Sequence, residues 1–241
     1  LVGWLMEKYE DIGVTLHTDT TVERVEKLGD AFRITAGGKG GSQTFEADLV
    51  VHAAGRKPDF ASLNLEAGGV ELSDGKLALN EFLQSTSNPA VYAAGDSAQL
   101  GPPLTPVANH DGKVVAANLL KGNHTTPNYN GVPSVAFTLP PIARVGLDEA
   151  EAREKGLKFR MQCDRTSGWF STRQQAESIS GYKVLVEEGS ERILGAHLLG
   201  PHADEVINIF TLAVQHGLTA DQLKDTMFAY PTGASDISSM L

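Results

Sequence analysis

Apolar residues Val2, Leu5, Met6 and Tyr9 recur at helical spacing along LVGWLMEKYEDIGVTLH, which predicts a helix passing through Gly13 into a short strand at residues 14–16. The pattern then changes to period two. TVERVEKL, AFRITA and TFEADLVVHAAG alternate on either side of the turn GGKGG, predicting a β-meander. GGKGG lacks the GxGxxG spacing and no helix follows it, so it reads as a hairpin tip rather than a nucleotide loop. The apolar run LVVHAAG predicts a buried strand that ends at Gly55-Arg56-Lys57-Pro58, where the ring of Pro58 stops regular structure and a crossover between domains is expected. AVYAA predicts another strand, leading into Gly95-Asp96. After the loop GPPL, a helix is expected with Thr105 as N-cap, Pro106 at its first position and Gly122 past its end.

From about Val132 the character changes. Short strands (SVAF, ARVGL, LKFRMQC, GYKVLVEE, RILGAHLLG) surround the charged helix DEAEAREKG, and two more helices follow, ADEVINIFTLAVQHG and TADQLKDTM. Thr219 with Gln222 three residues later forms a capping box for the last of these. This order predicts an antiparallel sheet with helices on one face, an α+β unit distinct from the α/β pattern before it.

Composition narrows the function. The 241 residues are 41% hydrophobic and 21% charged, enough for two or three compact units. A net charge of -10 opposes the phosphate backbone and no basic patch offsets it, so no nucleic-acid partner is expected. Eighteen apolar residues never run together, since VINIFTLAV is interrupted by Asn208 and Thr211; no membrane partner and a cytoplasmic location are expected. The single cysteine, Cys163, cannot form an intrachain disulfide, and its place within KFRMQCD predicts a packed thiol. His197 and His202 have no carboxylate or cysteine at ligand spacing, and no metal site is expected. His110 and Asp111, in the first turns of the helix from Thr105, fit either the lining of a pocket at the helix start or, as expected, an exposed polar face. The chain opens without Met, in the middle of a helix-then-strand pattern that forms the second half of a βαβ unit. A longer chain with a preceding strand and glycine-rich phosphate turn is therefore expected.

Four phrases in order, HAAGRKPD, VYAAGDSA, LTPVA and GVPSVAFTLPPIARVGL, resemble the C-terminal half of the flavin-dependent pyridine nucleotide-disulfide oxidoreductases, the group of glutathione reductase, dihydrolipoamide dehydrogenase and mercuric reductase. The resemblance spans nearly the whole chain. It implies a partial NAD(P)H-binding domain at 1–51, a partial FAD-binding domain at 52–129, and an interface domain at 130–241 through which the protein forms a homodimer. FAD and NAD(P)H are the implied cofactors, and a small molecule the implied substrate. The family's N-terminal GxGxxG and its paired redox cysteines are not in this sequence.

Within that resemblance Asp96, presented by Gly95, corresponds to the carboxylate that holds the flavin's ribityl chain; taken alone, it also fits a turn aspartate capping the next element. Leu104, Thr105, Pro106, Val107 and Ala108 correspond to the helix start beside the flavin, where free N–H groups and the helix dipole suit negative charge. Gly55, beside Arg56, matches a segment near the nucleotide. Val135, with Phe137, matches the closure of the nicotinamide and flavin pocket, although both also fit a core strand.

The C-terminus departs from the family. Relatives of the glutathione reductase kind carry His-Pro with a Glu at the fifth position after the His, an acid-base pair serving the partner subunit. Tyr230, Pro231 and Ser235 stand at the matching positions, with Asp236 one residue beyond. A phenol, with a reference pKa near 10 against about 6.5 for imidazole, is a poor base at neutral pH but a good hydrogen-bond donor. Two readings of Tyr230 are open: a catalytic group facing substrate across the dimer, as in mercuric reductase-like members, or an aromatic packed at the interface.

Overall fold

A computed structural model describes all 241 residues. The chain divides into two compact units, one of Met6–Lys57 and one of Leu1–Leu5 with Pro58–Leu241. No helix is long and apolar enough to cross a membrane.

The chain begins in helix α1 (Val2–Asp11), close to the expected bounds. The smaller unit contains the expected meander of β1 (Thr20–Leu28), β2 (Ala31–Gly38) and β3 (Gly41–Ala47), paired antiparallel in chain order. The glycine-rich segment lies at the β2–β3 tip, where Gly38 faces Gly41 in register. Two expected strands of this unit do not form. Residues 14–16 and the run LVVHAAG are irregular, and Leu49 and Val51 are 73% and 76% exposed. A strand persists only where a neighbour pairs its backbone groups, and neither run has one in this chain.

In the larger unit, β4 (Leu72–Ser73) and β5 (Lys76–Leu77) form a minimal hairpin. The expected strand AVYAA is reduced to one bridge, between Gln84 and Tyr92. Leu83, Ala93, Ala98 and Val114 make a small core beneath helix α2 (Thr105–Lys121). The N-cap of α2 is Leu104, not Thr105; its extended backbone supplies the carbonyl for Ala108 N, and no side chain caps it.

The rest of the unit is a five-stranded sheet built from β6 (Ser134–Ala136), β7 (Ile142–Gly146), β8 (Phe159–Arg165), β9 (Gly181–Glu187) and β10 (Ile193–Leu199). Its order is β6-β7-β10-β9-β8, with every pair antiparallel. Short helices α3 (Glu149–Glu154) and α4 (Phe170–Gln174) link its strands. Helix α5 (Ala203–His216) packs on β7 and β10, burying Ile207 and Phe210 with Val145, Val184 and Ala196. Helix α6 (Ala220–Lys224) begins in the expected Thr219/Gln222 capping box, and a 3-10 turn, Gly233–Met240, closes the chain with Ile237 in the core. The antiparallel α+β architecture expected for this part is present.

Cys163 differs from expectation: it is in a strand but exposed. β8 is an edge strand, and the period-two alternation puts Met161 and Cys163 together on its exposed face.

Candidate functional site

The tight turn Gly95–Ser97 follows Ala94, which is extended, and begins at Gly95 with φ +63°. A side chain is excluded there twice over: the left-handed backbone disfavours it, and an added Cβ would lie 2.7 Å from the Ala108 Cβ. The turn therefore rests directly on the first turn of α2. Ser97 Oγ donates to Ala94 O at 2.9 Å and Ala98 N to Gly95 O at 2.9 Å, so the turn satisfies its own backbone. Asp96 stays exposed and its carboxylate accepts no hydrogen bond within the chain.

The adjoining start of α2 is similarly unpaired. Leu104 offers no capping side chain, Pro106 has no N–H, and Thr105 N and Val107 N have no acceptor in the chain. These donors and the positive end of the helix dipole add up to a local preference for negative charge. Thr105 and Pro106 are exposed, whereas Val107 is buried and anchors the turn. In the intervening loop, Gln99 Oε1 is a buried acceptor with no partner, the kind of atom a bound group commonly satisfies.

One residue holds the two features together. Asp111 is fully buried, contrary to the exposed face expected for it; Oδ2 accepts from Gly95 N at 2.9 Å and Oδ1 from Tyr129 OH at 3.0 Å. Burial, followed by the hydrogen bond and charge of Asp111, pushes the Tyr129 phenol above its ordinary range. The Tyr129 ring lies against Gly101, where a Cβ would come within 2.6 Å of it, so the loop over α2 is closed by close approach at both ends. The signal for Asp111 was present in the sequence: Val107, Asp111, Val114 and Asn118 follow one another at spacings of four, three and four, and all four are buried.

Gly95, Asp96 and the Leu104–Ala108 segment are thus one cluster. Other expected site residues are elsewhere. Gly55 belongs to the smaller unit, in irregular backbone with φ +86°. Val135 lies in β6, opposite Ala143, and packs against the sheet core, while Phe137 is 83% exposed.

Tyr230 is 77% exposed, and its ring stacks on Phe170 with centroids 6.3 Å apart and planes at 27°. Ser235, at the family's Glu position, is occupied otherwise: its N donates to Thr232 Oγ1 and its Oγ accepts from Thr232 N, both at 3.3 Å, in a capping box. Asp236 points inward and accepts from Ser171 Oγ. Neither residue pairs with the phenol. His197 Nε2 donates to Leu147 O, 3.2 Å away, and burial lowers its pKa; His202 stands at the start of α5.

Comparison with known proteins shows the family and the fold. Residues 2–112 match the family described as pyridine nucleotide-disulphide oxidoreductase, and 132–241 match its dimerisation domain. An "uncharacterized 19.7 kDa protein in mercuric resistance operon" of Staphylococcus aureus is 47% identical over 180 residues, 74% of this chain and 100% of that protein. A mercuric reductase of S. aureus is 38% identical over 96% of this chain but only 42% of its own length. The chain thus spans less than half of that reductase. The fold is that of the HOCl-induced flavoprotein disulfide reductase RclA from Escherichia coli, with a TM-score of 0.86 and 24% identity over 99% of this chain and 54% of that one. The chain belongs to the pyridine nucleotide-disulphide oxidoreductase family.

Proposed function

We propose that this chain acts as part of a longer, homodimeric FAD-dependent oxidoreductase that takes electrons from NAD(P)H, with residues 1–51, 52–129 and 130–241 as its partial NAD(P)H, partial FAD and interface domains. Members of the family are FAD-dependent and use NAD(P)H as electron donor. The observation that carries the proposal is the clasp: an unpaired carboxylate at Asp96 and an uncapped helix start at Thr105–Val107, held side by side by Asp111. Exposed Leu49 and Val51, in a run patterned for burial, support a longer polypeptide supplying their neighbours.

Asp96 would accept hydrogen bonds from the hydroxyls of the ribityl chain. Thr105 N and Val107 N would donate to negative charge on the bound group, aided by the helix dipole. When bound, FAD would supply the capacity to accept hydride and pass electrons onward. Gly55 and Val135 are assigned to the surroundings of the nucleotide and nicotinamide, and Tyr230 to the substrate of the partner subunit. A disulfide is the first candidate substrate. A non-disulfide acceptor such as a quinone, oxygen or a metal is the second, favoured by a phenol in place of imidazole and by a Ser235 committed to its cap.

The test is flavin retention. The polypeptide extended upstream through its N-terminal half should purify yellow, and Asp96→Ala should weaken FAD binding by about ten- to a hundredfold, the loss expected for hydrogen bonds to a charged acceptor. Undiminished binding in Asp96→Ala would remove the site assignment. Absence of flavin from the extended wild type would leave only a dimerisation module.

A further inference from the structure

The family's acid-base pair is replaced here by residues that do not touch each other, which leaves the purpose of the inward-facing Asp236 open. Asp236 lies in the first turn of Gly233–Met240, a segment fixed to the sheet by buried Ile237, Met240 and Leu241. Its carboxylate accepts from Ser171 Oγ, the second residue of α4. The next residue, Thr172, shares a hydrogen bond with Ser180 at 3.2 Å, and Ser180 another with Thr166 at 2.7 Å, both buried. Two adjacent hydroxyls thus attach α4 in two directions, to the terminal turn and to the start of β9. The first residue of α4 is Phe170, whose exposed ring is the surface on which Tyr230 stacks.

We propose that Asp236 is a positioning residue for Tyr230: through Ser171 it locks α4 to the terminal turn, and the Phe170 ring then sets the plane and reach of the phenol. The closed path runs from Tyr230 through the Thr232 cap to Asp236, across to Ser171, and back through Phe170. A phenol that is 77% exposed would otherwise sample its rotamers freely, so this loop limits it to one placement.

The same geometry makes the lock sensitive to charge. Asp236 faces a cavity of about 30 Å³ and is the only ionisable residue lining it. Desolvation raises its pKa, with the Ser171 hydrogen bond opposing. The ionisable residues of the packed elements, Arg173 of α4, Tyr182, Lys183 and Glu187 of β9, and His202, Asp204 and Glu205 at the start of α5, do not line the cavity.

The lock is tested in the 241-residue chain labelled with 3-fluorotyrosine. There are five tyrosines, so the Tyr230 fluorine resonance is identified by its absence in Tyr230→Phe. In the wild type this resonance should shift with a midpoint above 3.8, the ordinary Asp value. The step should disappear in Asp236→Asn and in Ser171→Ala, and persist in His202→Gln. Ser171→Ala keeps the carboxylate and deletes one hydroxyl, so it decides the matter if Asp236→Asn fails to fold. A Tyr230 step that survives in Ser171→Ala, or is missing from the wild type, overturns the proposal. Its functional meaning rests on Tyr230 facing substrate, but the ring signal needs no substrate. Intact coupling alongside unchanged turnover in a Tyr230→Phe enzyme would reject the substrate role alone.

Discussion

Asp111 shows how much one buried carboxylate contributes here. Truncating it removes the partner of Gly95 N and of the Tyr129 hydroxyl together, in a place water does not reach. Asp111→Ala should therefore cost about 2–4 kcal/mol, and Tyr129→Phe, which deletes one of the two bonds, about 1–2 kcal/mol, both read from urea midpoints. Equal midpoints for the two variants would mean that Gly95 N finds another acceptor. The residue was legible from its spacing with Val107, Val114 and Asn118, yet its charge argued for the surface. Spacing prevailed because the turn supplied a donor at the point where the helix face closes. The turn at Asp96 and the helix start at Thr105 and Pro106 were legible as elements, although the cap falls one residue early, at Leu104. Ser171 had no sequence signal: its role depends on a residue 65 positions away.

Among the elements, caps and alternation translated well. Helix α3 starts at Asp148, whose side chain accepts from Glu151 N at 2.9 Å while Glu151 Oε2 accepts from Asp148 N at 2.8 Å. That backbone hydrogen bond is the main reason the Asp148 pKa falls below its usual 3.8. A lowered folded-state pKa contributes stability that is present above the unfolded value and lost as pH falls through the folded one. Asp148→Ala should accordingly unfold at lower urea than the parent at pH 7, with the difference shrinking as the solution is acidified below 3.8. A gap constant with pH would assign the effect to packing instead. The apolar runs at 49–54 and 90–94 translated poorly. Their composition is that of strands buried on both faces, and such strands need partners from elsewhere, which no pattern within the run can reveal.

For the whole molecule, the sheet of β6 to β10 fits the dimerisation domain that its residues match. Its surface carries large exposed apolar side chains, among them Met227 at 98%, Phe137 at 83% and Tyr230 at 77%. The chain should sediment at twice its own mass. Met227 has almost no packing to lose, so Met227→Glu should weaken self-association on the order of tenfold while leaving the thermal midpoint of the separated chain unchanged. Unaltered sedimentation would move the interface to another face.

The hydrogen bond from Gly95 N to Asp111 also bears on how the protein can vary. It ties the two ends of residues 98–104 together independently of what lies between them. The entropy of bringing those ends together is thus already met by the clasp, and lengthening a closed loop costs only about 0.6 kcal/mol for each doubling. The segment over α2 is accordingly a natural place for insertions that reshape the surroundings of the proposed flavin site, while the Asp96 carboxylate and the helix start stay in register.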